Sequence, residues 1–73
     1  LRAKAFKDHE AIINEEIKKA GNRVYGLLSA ADRLEHRAVW PSGDPIDEWQ
    51  RDQHKKDARI IRQVAEELQT HYV

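Results

Sequence analysis

Both prolines of this chain, Pro41 and Pro45, flank Gly43 in one short stretch, and residues 1–20 and 46–73 contain neither proline nor glycine. That distribution constrains the fold more than any other feature. It leaves two long arms without a proline, joined by one bend. Strong helix formers dominate both arms, and β-branched residues are scattered rather than alternating. The expectation is an all-α antiparallel hairpin in a single domain over residues 1–73, with helices at about 2–39 and 45–72 and a bend at 40–44.

The bend reads "AVWPSGDPIDEW" from Ala38 to Trp49. Pro41 disfavours helical geometry at Trp40 and should stop the first helix. Asp44 is placed to cap the second helix, Pro45 suits its first position, and Asp47 and Glu48 bring negative charge to its first turn. A loop of about four residues makes the helices antiparallel neighbours. With the bend centred between Ser42 and Gly43, Lys18 is level with Glu67, Lys19 with Glu66, Arg33 with Asp52 and Arg37 with Glu48. Arg23 against Arg62 breaks that pattern.

The first arm carries a seven-residue repeat. One seam is Phe6, Ile13, Ala20, Leu27 and Leu34; the other is Ala3, Glu10, Ile17, Val24, Ala31 and Ala38, and Glu10 is its single polar member. Steps of three and four held this long predict a helix with one packed stripe. In the second arm Ile61, Val64, Leu68 and Tyr72 or His71 form a stripe, but upstream the same stripe meets Asp57, His54 and Gln50. A second arrangement stays open. Gly21-Asn22 can end one helix and start another, giving three helices at about 2–20, 22–39 and 45–72. The seam crosses the glycines without losing phase, so the continuous helix is the preferred expectation, with Gly21 marking a close approach of another backbone.

Seventy-three residues bury little core, and there is no cysteine to add a disulfide or a thiolate zinc site. Ile12, Tyr25, Leu28 and Val39 widen the first stripe, and Ile60 and Ala65 the second. A face this wide suits three or four helices, so pairing of two hairpins into a four-helix bundle is expected. Phe6, Ile13, Ile17, Val24, Leu27, Leu34, Ile61, Val64 and Leu68 would form the interface. The alternatives are a foreign protein or a missing part of the same chain. The chain opens on Leu1 and contains no Met, so a processed chain or a piece of a longer one is expected.

The function this favours is a non-enzymatic oligomerisation or protein–protein interaction module with no cofactor. Nothing in the sequence forms a phosphate loop or a nucleophile elbow. His9, His36, His54 and His71 raise the question of a metal, since Asp32/His36 and Glu67/His71 lie at i,i+4 and His54/Asp57 at i,i+3. The Glu-x-x-His pairs of di-iron bundles are absent, and solvated surface histidines are the expected reading.

Nucleic acid is the functional alternative. Lys55, Arg59 and Arg62 recur on one face of the second helix. Against it stand 13 basic and 13 acidic residues, so there is no net charge to attract a polyanion. Trp40 and Trp49 bracket the bend, either as an aromatic contact for a partner or as a plug sealing the bundle end, and the plug is preferred. The longest apolar runs are too short for a membrane span. The neutral balance and absent cysteine suit cytoplasm or periplasm, the cytoplasm being preferred.

Overall fold

The computed structural model describes residues 2–40 and 42–71, with the backbone alone for Arg2 and His71. Pro41, Tyr72 and the side chain of His71, which entered the expectations above, lie outside the described residues. The fold is all-helical: α1 (Arg2–Asp8), α2 (Glu10–Ala20), α3 (Arg23–Glu35) and α4 (Glu48–His71). α3 is central. It packs on α2 along one side and on α4 along the other, while α1 lies against α4. Among the described residues no Cα of α2 comes within 8 Å of one in α4. The molecule measures 41 × 24 × 18 Å. α4 alone, at about 1.5 Å per residue, runs most of the long dimension.

The continuous first helix does not form; the three-helix alternative does, with one further break. Gly21 ends α2 in the left-handed region (φ 67°), and its N–H reaches the Ile17 carbonyl at 2.9 Å. Asn22 then caps α3, its side-chain oxygen accepting from the N–H groups of Val24 (2.8 Å) and Tyr25 (3.2 Å). Gly-Asn supplies both halves of a stop and start with no polar loop. The close approach expected at Gly21 occurs at Gly26. A Cβ there would lie 2.4 Å from the Cα of Ile17, so α2 and α3 touch backbone to side-chain root, whereas Gly21 has nothing within 4 Å. The further break is at His9 (φ −120°, ψ 22°), between α1 and α2.

The bend is longer than four residues. α3 stops at Glu35, short of 39, and α4 starts at Glu48, beyond 45. Between them the chain makes a small hairpin. Ile46 N–H bonds the Ala38 carbonyl (3.1 Å), Trp40 N–H the Asp44 carbonyl (2.8 Å), and Gly43 N–H the Trp40 carbonyl (2.8 Å). Gly43 sits at φ 94°, the position of a three-residue hairpin loop that favours glycine. Asp44 accepts the Ser42 hydroxyl instead of capping a helix, and Pro45 bridges Val39 instead of opening α4. The longer loop shifts the register. Glu35 meets Arg62, where a four-residue bend would have set it level with Gln50. Arg33 accordingly pairs with Glu15 and Glu16 of α2 rather than Asp52, and Lys19 pairs with Glu15.

The core joins Ile13, Leu27, Ala30, Ala31 and Leu34 to Ala58, Ile61 and Ala65, with Phe6, Ile17, Val24, Val64 and Leu68 packed around them. Small residues on both α3 and α4 allow close packing. Each large side chain fully covered contributes about 1.5–3 kcal/mol. All nine residues expected at an interface between copies therefore belong to this intramolecular cluster. Ile13, Leu27, Leu34 and Ile61 are buried, and the other five are half-buried. Among the described residues, no helix is long and apolar enough to cross a membrane.

Candidate functional site

Among the described residues the buried polar ones are His9, His54 and Asp57, each at most 8% exposed. They meet where α1 ends, α4 begins and the hairpin loop folds over. His9 occupies the break between α1 and α2, which turns its ring onto α4. Its Nε2–H donates to Asp57 Oδ2 at 2.7 Å, a bond spanning 48 positions in sequence. The other carboxylate oxygen of Asp57 accepts from Gln53 Nε2 at 3.2 Å. His54, one turn before Asp57, has its ring edge-on to His9 (centroids 5.3 Å, 82°) and to Trp40 (5.4 Å, 87°). Its Nδ1 is buried without a hydrogen-bond partner. The Arg37 guanidinium lies 5.2 Å over the Trp40 ring. Burial first, then the charges of His9 and Arg37, hold the His54 imidazole below its ordinary value of 6.5, against the opposite pull of Asp57.

These side chains line an open groove of about 370 Å³, together with Asp8, Trp49 and Gln50. No hydroxyl, thiol or amine nucleophile is in its lining. The expectation of solvated histidines is thus corrected for His9 and His54, and holds for His36, whose exposed ring keeps Nδ1 3.0 Å from the Asp32 carbonyl. The plug expectation is corrected by half. Trp40 packs on His54, and Ile46 is buried beside the loop, but Trp49 is 68% exposed.

A second groove, of about 470 Å³, lies along α1, α2 and α3. Phe6, Ile13, Ile17 and Leu27 give it an apolar floor, and Lys7, Glu10, Asn14 and Arg23 form its rim. It follows the seam read as an interface, and no residue of α4 lines it.

The remaining candidates separate. Lys55 and Arg59 are exposed, one turn apart on α4, and Arg51 continues their row. Arg62 is half-buried and bound to Glu35 at 2.7 Å, which holds the Glu35 carboxyl below its usual range. Asp32, Glu35 and His36 bring three ligand atoms within 4.8 Å of one another, but Glu35 is engaged by Arg62 and His36 by Asp32.

What the sequence reading missed is the His9–Asp57 couple. His9 gave no signal. Asp57 and His54 did: they sit on the α4 stripe that Ile61 and Val64 continue, and a polar residue on a buried stripe requires a partner. Searches for a matching protein-family model, a similar curated protein and a similar solved structure each find none.

Proposed function

We propose that this chain is a non-enzymatic association module, an oligomerisation or protein–protein interaction domain whose occupant is a second copy of itself. The observation that carries the reading is the second groove. Its floor is the apolar seam Phe6, Ile13, Ile17 and Leu27, of which Phe6 and Ile17 are only half-buried within one chain. Its rim holds both signs, Lys7 and Arg23 with Glu10. Under a two-fold axis the same patch faces itself, so a rim of both signs can pair with its own copy. A formal net charge of zero adds no repulsion between copies. A second copy laid along this groove would cover Phe6 and Ile17 and leave the buried core of each chain in place.

Sedimentation equilibrium over a hundredfold range of concentration tests this. The expected result is a dimer that weakens in the double variant Lys7→Glu, Arg23→Glu, which leaves the rim uniformly negative on exposed positions. A monomer at every concentration overturns the reading.

A second reading rests on the exposed row Arg51, Lys55 and Arg59, which suits a phosphate backbone. It requires binding to DNA or RNA at low salt that falls steeply as salt rises and weakens on Arg59→Glu.

A further inference from the structure

α1 is a separate seven-residue helix, joined to α2 through the non-helical His9 and packed on α4. It is secured by Ala5, 1% exposed, by Phe6 packed on the core, and by the His9–Asp57 bond at its C-terminal end. So short a helix has little stability of its own. Its position therefore depends on the groups around that bond. Asp57 is turned to His9 with one carboxylate oxygen and to Gln53 with the other, and neither makes a hydrogen bond to His54 Nδ1.

A proton added to His54 has nowhere good to go. Whichever nitrogen carries the hydrogen at neutral pH, the imidazolium has an Nδ1–H, and that atom is buried without a partner. The groups facing His54 are His9 from the α1–α2 joint, Arg37 and the Trp40 ring from the segment after α3, and Asp57 on its own helix. Asp8, at the end of α1, lines the same groove. Arg37 is a fixed positive charge, and His9 adds a second once protonated. Asp57 supplies negative charge but is already held by His9 and Gln53.

We propose that His9, His54 and Asp57 form an acid-released clasp, which holds α1 on α4 at neutral pH and lets it go when His54 takes up a proton. The release is assigned to His54, whose Nδ1 is buried without a partner, and His9 is the group that lets go. The low proton affinity of His54 fits this assignment: the open state, where the ring meets water, binds the proton more readily, so acid favours opening. The clasp stands whether or not a second copy fills the other groove.

Amide hydrogen exchange, corrected for the chemical exchange rate at each pH, tests the clasp in the full chain. Protection of the α1 amides is expected to fall between pH 7.5 and pH 5 by up to about tenfold for each unit by which His54 is depressed. The α3 amides from Leu27 to Leu34 should keep theirs. His54→Phe, which keeps a ring between His9 and Trp40 but cannot titrate, should abolish the fall. Unchanged α1 protection in the native chain overturns the proposal, as does an equal fall in His54→Phe. Should that variant fail to fold, NMR titration of the native His54 ring decides. Titration below the ordinary imidazole range, in step with the change in α1 shifts, supports the clasp, and titration at or above that range overturns it.

Discussion

α4 is buried in two ways along its length. From Ala58 to Ala65 it lies on α3 through Ala58, Ile61 and Ala65, all at 1% exposure or less. From Trp49 to Asp57 it is covered by α1, the joint at His9 and the hairpin loop, and what it buries there is His54 and Asp57. One half is held by apolar burial, which has no direction and no proton to lose. The other half is held by a directional bond from His9 and by ring contacts of His54 with His9 and Trp40, while Gln53 of the same helix satisfies the second oxygen of Asp57. A helix whose apolar stripe runs out can still be covered, provided each buried polar group finds a partner. The consequence is that the histidine titration belongs to one half, while the Glu35–Arg62 pair of the other half responds only below 4.5.

The largest effect should come from the dry half. Ile61 is fully buried between α3 and α4, so Ile61→Ala should cost about 2–5 kcal/mol in urea unfolding. Asp57→Asn is the matched change in the polar half. An amide keeps the shape but can accept from only one side, so either His9 or Gln53 loses its partner. A loss of about 1–3 kcal/mol at pH 7.5 is expected. If Asp57→Asn proved more damaging than Ile61→Ala, the polar cluster would be the main fastening and the contrast between the halves would reverse.

Acid should separate the halves without mutation. His54 is depressed below 6.5 in the folded protein, so the unfolded chain takes its proton first. Stability from this group is complete above about pH 6.5 and is lost as pH falls from there through the folded value. Glu15 is held low by hydrogen bonds from Lys19 and Arg33, and Glu35 by Arg62. Their contribution is present above 4.5 and is lost as pH falls through their folded values. Melting temperature against pH should therefore decline in two steps, and His54→Phe should remove the first and keep the second. A single step below 4.5 would leave the polar half without its own titration.

The dry half was legible in the sequence and the polar half was not, for physical reasons. Periodicity reports apolar positions, and it placed Leu27, Leu34, Ile61, Val64 and Leu68 on packed faces. It could not say whether they pack within one chain or between two, because the pattern is the same. Nor does it register a reversal of direction: the seam kept phase through Gly21-Asn22, although the backbone turns back there on one left-handed residue and one cap. The bend was located by Pro41, Gly43 and Pro45, but its length was misjudged. Asp44 has a local partner in Ser42, and that turn competes with a helix cap. The His9–Asp57 bond joins residues 48 apart, a distance that depends on both the extra break and the longer loop. With those two features unread, the site could not be assembled from spacing.

The smallest effect distinguishes the two tryptophans. The sequence treats them alike, one on each side of the bend. In the fold Trp40 sits between Arg37 and the edge of His54, while the ring of Trp49 stands largely in water one position into α4. Trp40→Ala removes a wall of the polar cluster and should lower stability. It should also shift the His54 titration upward, since water then reaches the ring. Trp49→Ala should change stability by no more than about 0.5 kcal/mol, as for an exposed side chain without a buried contact. It should also leave the His54 titration where it is. Paired thermal melts and His54 titrations of the two variants decide this. Equal effects would mean that Trp49 also closes over the groove in solution, and the polar half of α4 would then be as dry as the other.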